Sequence, residues 1–405
     1  MRILLENCRI IDGKGILDSR GFIVIEGNRI RTVGQGRAPR KERGDERIDL
    51  DGRSVLPGMI DCHVHLCLNG DGDSTESLLH EHNCMVVLRA AKNAYLTLLA
   101  GVTTVRDLGA KDDVIIHLRN AINAGIVPGP RISACVKCVC ITGGHFWPVS
   151  READGEVDIR KAVREQLRAG ADVIKLMATS GVLTPGAEPG GAQLTYEELK
   201  AGVEEAHKAG RRAASHVMGA EGLRNALMAG IDSIEHGAFL DEETVRMFLE
   251  RKAFLVPTLS APFFILKNGV KNRIAAAVIE RTELIAKPHV DSAKKAYRAG
   301  ITIAMGTDVG TPFNLHGENL KELELLCGIG LTPMEAITAA TLTAARLLDL
   351  EKEIGTIEEG KRADLIVVEG NPLEDITLLQ KKDKIVAIMK DGRFYKKMIN
   401  SGVML

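Results

Sequence analysis

The centre of the chain repeats one pattern, in which a short apolar run is followed by a stretch of helical length. Alternation of strand and helix patterns is typical of parallel sheets whose faces are covered by helices. Eight such units between residues 57 and 350 fit a closed barrel better than an open sheet. The predicted barrel strands are Met59–Leu66, Thr103–Leu108, Arg131–Val136, Val173–Met177, Ala213–Val217, Ser233–His236, Phe254–Thr258 and Thr302–Asp308.

Helix signals fill the intervals between these strands. Thr195–Ala209 begins with Thr195 and Glu198 at the spacing of a capping box. Glycines that suit a left-handed cap close four of the helical stretches just before the next strand. These glycines are Gly170, Gly210, Gly230 and Gly300.

Both ends of the chain alternate apolar and polar residues and carry turn signals. Near the C-terminus, two strand-like runs, 363–368 and 385–389, are followed by Asp391-Gly392, a typical hairpin turn. Neither end is long enough to make a convincing core alone. We therefore predict an α/β fold: a (β/α)8 barrel over residues 57–354, with a small β-sandwich module built from residues 1–56 plus 355–405.

Charge and composition limit the partners of this chain. A net charge of −1 and only 3% aromatic residues argue against nucleic-acid binding. No apolar run reaches the roughly 18 residues of a membrane span, and the first residues lack the pattern of a signal peptide. Eight irregularly spaced cysteines in such a chain indicate reduced thiols. We expect a cytoplasmic protein without membrane or nucleic-acid partners.

A pair of histidines at the end of the first predicted barrel strand points to metal binding. His63 and His65 lie two residues apart, so on a strand both imidazoles share one face. Such a pair is a ready bidentate site for zinc. Two packed or exposed histidines would give the same pattern, so the pair alone does not establish a site.

Four further polar residues strengthen the metal interpretation, since each lies in or at the end of another predicted barrel strand. Lys175 interrupts an apolar run, where a charged ammonium is costly to bury. His216, His236 and Asp308 end the fifth, sixth and eighth strands. Barrel active sites assemble where the strands end. The joint placement therefore predicts one site.

The chemistry of these residues suggests a two-metal centre. His63, His65 and Asp308 would bind one divalent metal, and His216 with His236 the second. Buried Lys175 should have a lowered pKa, and its neutral amine can combine with carbon dioxide to give a carbamate that bridges both metals. A hydroxide held between the metals would be a strong nucleophile at neutral pH. Asp308 could act as the general acid and base.

The sequence resembles the amidohydrolase superfamily, in its prolidase-like and imidazolonepropionase-like branch. The resemblance rests on Leu56–His65, Gly101–Asp107, Thr142–His145, Ile234–Gly237, Gly306–Asp308 and Gly360–Val367. It spans nearly the whole chain and implies the barrel, the flanking β-module and the ligand set above. It also implies a homo-oligomer. The histidine-rich set suits zinc, although manganese or cobalt can substitute.

The same resemblance addresses the reaction. Deaminases of the superfamily typically have Glu three residues after the strand-five histidine, where this chain has Gly219. Together with Lys175, this favours two-metal hydrolysis of an amide in a small molecule, as in dipeptidases that release a C-terminal amino acid. In those enzymes the histidine of a Thr-Gly-Gly-His loop lies near the substrate. That histidine corresponds to His145 of this chain. Related prolidases often have Tyr, which helps to hold the substrate carboxylate, where this chain has Met218.

Several interpretations stay open at this stage. His316, on the loop after Asp308, could line the substrate pocket or be an ordinary exposed histidine. Arg106 and Asp107 end the second strand, where a structural ion pair is favoured over a role in orienting a ligand. The alternative activity is a hydrolase or deaminase of a cyclic amide or another ring nitrogen compound. A non-enzymatic barrel is the third possibility, which the complete ligand set disfavours.

Overall fold

Parallel strands, most of them followed by a helix, form the wall of a barrel in this computed structural model. It describes residues 2–72, 78–184, 186–269 and 274–399. One parallel set has the order β6-β7-β8, and the second has the order β10-β9-β11-β12-β13-β14. The barrel strands are β6 (Met59–Val64), β7 (Val102–Asp107), β8 (Arg131–Ala134), β9 (Cys138–Cys140), β10 (Ser150–Glu152), β11 (Val173–Met177), β12 (Arg212–Val217), β13 (Ser233–His236) and β14 (Phe254–Val256).

Helices pack outside these strands and share the main hydrophobic core with them. Gly170, Gly210, Gly230 and Gly300 all have positive φ at helix ends, and Thr195 with Glu198 forms the predicted capping box. No helix in the described ranges is long and apolar enough to cross a membrane. The helices are α1 (Asn83–Leu99), α2 (Val114–Asn123), α3 (Gly155–Ala169), α4 (Tyr196–Lys208), α5 (Ala220–Ala229), α6 (Glu242–Arg251), α7 (Ser260–Asn268), α8 (Ala276–Ala299), α9 (Lys321–Gly328), α10 (Pro333–Ala339) and α11 (Leu342–Leu347).

The predicted third and eighth strands are not the regular strands that were expected. The third ends at Ala134, because Val136 has a φ of 69°, and the chain resumes as β9. The segment 302–309, called the closing segment below, forms only isolated bridges to both neighbours. It still joins the barrel edges, since Leu255 N donates to Thr302 O and Cys62 N donates to Met305 O, each over 2.9 Å. Met305 N instead donates to Ala339 O at the end of α10, which interrupts the ladder.

Both chain ends enter one eight-stranded sheet beside the barrel. Its order is β17-β16-β15-β5-β1-β2-β3, with β4 paired to β1. The antiparallel pair β5–β15 joins the two ends, with Leu56 opposite Ile366. Asp391 and Gly392 have φ values of 49° and 73°, as the predicted hairpin turn requires. The strands are β1 (Arg2–Ile11), β2 (Ile16–Glu26), β3 (Arg29–Gln35), β4 (Glu46–Asp49), β5 (Ser54–Pro57), β15 (Leu365–Val368), β16 (Ile385–Lys390) and β17 (Arg393–Lys397).

This arrangement confirms the predicted barrel and the β-module built from both chain ends. The module packs around its own cluster, which includes Leu5, Val55 and Val367. The ends of the barrel strands that carry the histidines belong to a different part of the molecule.

One buried carboxyl group makes the stability of this fold depend on pH. Glu322 on α9 accepts hydrogen bonds from Leu259 N over 2.8 Å and Ser260 N over 2.7 Å, at the start of α7. Burial outweighs these bonds and raises the pKa of Glu322 from 4.5 to about 8. The folded protein therefore holds a proton that the unfolded chain releases above about pH 4.5, and this stabilisation is lost as pH rises through about 8.

Replacing Glu322 with Gln should remove this pH dependence. We expect the free energy of unfolding of the wild type, relative to Glu322→Gln, to fall by up to about 1.4 kcal/mol per pH unit between about pH 5 and about pH 8. Denaturant unfolding at several pH values measures the difference. Glu324→Gln on the same helix is the control, since Lys321 lowers the pKa of Glu324 out of this window. Parallel curves for wild type and Glu322→Gln would contradict the prediction.

Candidate metal centre

The six predicted ligands come from five strands or segments and meet at one end of the barrel. His63 and His65 lie on β6, Lys175 on β11, His216 on β12, His236 at the end of β13, and Asp308 in the closing segment. The imidazole centroids of His63 and His65 are 5.4 Å apart, and those of His63 and His236 are 5.2 Å apart. The rings of His216 and His236 are 4.5 Å apart. The barrel thus brings together side chains that are far apart in sequence.

His63, His65 and Asp308 form a compact group of donors. Asp308 Oδ1 lies 3.4 Å from His63 Nε2 and 3.2 Å from His65 Nε2. The potential ligand atoms of the three residues all lie within 4.8 Å of one another. Two imidazole nitrogens and a carboxylate oxygen are a donor set that zinc and similar divalent ions accept. These three residues therefore fit a single divalent cation.

In three of the histidines, the ring nitrogen Nδ1 is hydrogen-bonded to the protein. His63 Nδ1 donates to Glu235 Oε2 and His65 Nδ1 donates to Gly109 O, each over 2.9 Å. His236 Nδ1 is hydrogen-bonded to Thr258 Oγ1 over 2.7 Å. Such partners fix the ring orientation and leave Nε2 to face a metal.

His216 supplies a direct test of whether the site suits a second cation. Its Nε2 is buried and has no hydrogen-bond partner among the described residues. Buried polar atoms are normally paired, so this nitrogen lacks a partner that a metal ion would provide. Gly181 keeps the space around it open, since an added Cβ would lie 2.9 Å from His216 Nε2. The unpartnered nitrogen of His216 is therefore available as a further metal ligand beside the group of His63, His65 and Asp308.

Lys175 lies among these ligands and is only 1% exposed. Burial lowers the pKa of Lys175, against the opposing charges of Glu235 and Asp308. After burial itself, the charge of Lys175 helps to lower the pKa values of His63 and His236. Lys175 therefore faces the same space as the histidines, where its ammonium form is disfavoured.

Two of the ligand candidates adopt strained backbone conformations. His236 has a φ of 68° and Asp308 a φ of 58°, both in the left-handed region. Conformations of this kind cost about 1–3 kcal/mol and cluster at functional sites. The positive φ of His236 ends the alternation of side-chain directions along β13. Glu235 and His236 can therefore both approach His63, although they are adjacent in sequence. The strain thus accompanies the assembly of the site.

The sequence analysis missed the acidic residue beneath His63. Glu235 is fully buried, accepts from His63 Nδ1, and binds Arg106 Nη2 over 2.8 Å. Arg106 thus forms the structural ion pair that the sequence favoured, with Glu235 as its partner, whereas Asp107 accepts hydrogen bonds from Leu66 N and Gly109 N. The available signal was a glutamate inside the short buried strand that His236 ends.

The residues predicted on the substrate side separate into two groups. His145 and Met218 line a cavity that also borders His216, His236 and Asp308. The cavity encloses about 440 Å³ free of protein atoms, part of it open to solvent. His316 is buried elsewhere: Nε2 donates to Leu68 O over 3.1 Å, and Nδ1 lies 3.4 Å from Thr97 Oγ1. The structure thus brings His145 and Met218 to the candidate centre and engages His316 in the packing of neighbouring loops.

The hydrogen bond between Glu235 and His63 gives a testable consequence. In Glu235→Gln the side chain keeps its shape but loses the negative charge that orients His63 and pairs with Arg106. We expect the affinity for zinc to fall about 10–100-fold, measured by competition with a chromophoric chelator. Glu242→Gln, an exposed change on α6, is the control, and circular dichroism checks that both variants fold. Equal zinc affinity in Glu235→Gln and wild type would contradict the assigned role.

Comparison with known proteins agrees with this geometry. Residues 54–395 match the amidohydrolase family. A crystal structure of a Xaa-Pro dipeptidase with methionine bound in its active site is 37% identical, covers 98% of this chain and 100% of its own, and superposes with a TM-score of 0.91. Ochratoxinase of Aspergillus niger is 33% identical over an alignment of 376 residues that covers 84% of this chain and 75% of that protein.

Imidazolonepropionase of Micrococcus luteus is 24% identical over an alignment of 389 residues that covers 89% of this chain and 90% of that protein. The family match covers most of the chain, including all six ligand candidates. The chain is therefore a member of the amidohydrolase family and a hydrolase that acts on C–N bonds.

Proposed function

We propose that this protein is a metal-dependent dipeptidase or carboxypeptidase that hydrolyses an amide bond and releases a C-terminal amino acid. The observation that carries the proposal is the group of His63, His65 and Asp308 beside the unpartnered Nε2 of His216. The similarity to a Xaa-Pro dipeptidase and to ochratoxinase supports an amide as the bond that is cleaved. The small, partly enclosed cavity is compatible with a small-molecule substrate.

The proposed centre holds two divalent cations, with zinc as the expected metal. His63, His65 and Asp308 would hold one cation, and His216 and His236 the other. Lys175 would bridge them as a carbamate, formed when its neutral amine adds to carbon dioxide and releases a proton. The lowered pKa of Lys175, caused mainly by its burial, favours the neutral amine that this reaction needs. When bound, the cations would activate a water molecule and polarise the carbonyl oxygen of the substrate.

Asp308 is the proposed general acid and base. Burial alone would raise its pKa, but His63 and His65 outweigh burial and keep the pKa of Asp308 below its ordinary value. Its carboxylate borders the cavity, where it can accept a proton from water and deliver it to the leaving nitrogen. The water oxygen first adds to the carbonyl carbon, and the C–N bond then breaks as the leaving nitrogen takes up the proton and the carbonyl re-forms. His145, whose Nδ1 is fixed by Thr184 Oγ1 over 2.7 Å, faces the same space and is proposed to contact the substrate.

A second candidate, hydrolysis of a cyclic amide, draws on the similarity to imidazolonepropionase over nearly the whole chain. The two activities differ in their products, since a dipeptide gives two amino acids and a cyclic amide gives one ring-opened acid. Ammonia release with about one metal per chain would instead indicate deamination. Product analysis over a panel of dipeptides, N-acyl amino acids and cyclic amides distinguishes these outcomes.

Removal of the metal should abolish activity. We expect dialysis against a strong chelator to reduce hydrolysis to the background rate, because no other group at the site can activate water as strongly. Adding zinc back should restore the rate, with about two metal ions per chain measured by elemental analysis. Full activity in protein shown to be free of metal would refute the proposed function.

Lys175 should be required for the bridging role. In Lys175→Ala we expect kcat/KM to fall by at least about a thousandfold, because both cations would lose the carbamate ligand that they share. Short carboxylic acids such as acetate or propionate should restore part of the activity by occupying the vacated space. Lys200→Ala, an exposed change on α4, should behave as wild type. An unchanged rate in Lys175→Ala would exclude the carbamate.

A further inference from the structure

The wall of the cavity opposite the candidate metal ligands is apolar. Val182 and Leu183 follow β11, Met218 follows β12, Ile265 lies on α7 and Ile285 on α8. Most of these side chains belong to an apolar cluster that is separate from the main barrel core. Among the described residues that line the cavity, Asp308 is the one charged residue apart from the histidines, and it belongs to the candidate metal centre.

Most polar groups in this wall are already engaged with the protein. Thr282 Oγ1 donates to Val278 O, and Thr311 Oγ1 donates to Asp308 O, each over 2.7 Å. His289 Nε2 donates to His236 O over 3.1 Å. These donors are therefore committed to backbone carbonyls. Apart from His289 Nδ1, which is buried without a hydrogen-bond partner among the described residues, the polar groups left to a substrate lie at the metal end of the cavity, and the rest of the surface offers apolar contact.

We propose that this cavity selects amides whose side chain next to the scissile bond is apolar and uncharged. This inference rests on the proposed function and names its substrate class. An apolar side chain would replace water against Val182, Met218 and Ile285, which is favourable in proportion to the area buried. A carboxylate or ammonium group would lose its water without gaining a partner in the wall. The substrate is thus an N-acyl amino acid or dipeptide with a leucine-like, methionine-like or phenylalanine-like residue.

Two dipeptide series determine on which side of the scissile bond the apolar subsite lies. We would measure kcat/KM of the zinc-loaded enzyme for Gly-Xaa and Xaa-Gly, with Leu, Met, Phe, Gly, Asp and Lys as Xaa. In one series Leu, Met or Phe should exceed Asp and Lys by about 100-fold or more, since a site without partners for a charged group rejects it. Hydrolysis with equal kcat/KM for apolar and charged residues in both series would overturn the inference while leaving the proposed function intact.

A variant in the wall ties the selectivity to this cavity. In Ile285→Ala we expect the ratio of kcat/KM for Leu over Gly substrates to fall about 10-fold, within the range that lost methylene contacts give. A ratio is insensitive to partial unfolding, which lowers both values equally. Ile122→Ala, a buried change in the main core on α2, is the matched control and should leave the ratio unchanged. An unchanged ratio in Ile285→Ala would also overturn the inference.

Binding measurements separate failure of this inference from failure of the proposed function. If no amide is hydrolysed, the proposed function fails, and calorimetry with free leucine, aspartate and lysine then tests the cavity by itself. Binding of leucine at least about 10-fold tighter than that of the two charged amino acids, reduced by Ile285→Ala, would support an apolar subsite. Equal binding of the three amino acids would overturn it.

Discussion

The candidate centre depends on a buried series of an ion pair and hydrogen bonds that begins at Arg106. Its guanidinium binds Glu235, and Glu235 orients His63, all at positions that are almost completely shielded from water. In such surroundings an unpaired charge is very unfavourable, so neither Arg106 nor Glu235 can be removed without leaving the other uncompensated. Arg106 Nε also donates to Cys62 O over 2.6 Å, which ties the same charge to the strand that bears His63. These contacts of Arg106 and Glu235 thus link β7, β13 and β6 at the point where the candidate ligands meet.

A second buried carboxylate fixes the closing segment against β6. Asp61 accepts from His63 N over 3.1 Å and from Thr307 Oγ1 over 2.7 Å, and Asn319 Nδ2 donates to it over 2.8 Å. Burial raises the pKa of Asp61 to about 6 despite these bonds. Because the closing segment lacks a regular strand ladder, such side-chain bonds help to hold Asp308 close to His63 and His65. Irregular backbone at this position therefore coincides with a candidate metal ligand, as strained conformations at functional sites commonly do.

The same end of the barrel divides into a polar floor and an apolar wall. The strands β6, β11, β12 and β13 provide the candidate histidine ligands and Lys175, and the closing segment provides Asp308, whereas α7, α8 and the loops after β11 and β12 provide the wall. The strands β11, β12 and β13 hold their side chains in place, because each is hydrogen-bonded to a neighbouring strand on both sides. Helices and loops outside the strands can vary without disturbing those groups.

Local sequence signals determined the alternation of strands and helices, the helix caps, the hairpin at Asp391-Gly392 and the identity of the six ligand candidates. These follow from periodicity, turn chemistry and the cost of placing a polar residue in an apolar run, which act over a few neighbouring residues. Only the tertiary structure decided that Arg106 pairs with Glu235, that His316 is engaged away from the cavity, and that the closing segment is held by α10 and Asp61. Those outcomes depend on which distant groups meet inside the barrel, where burial makes each polar atom take whichever partner lies within reach.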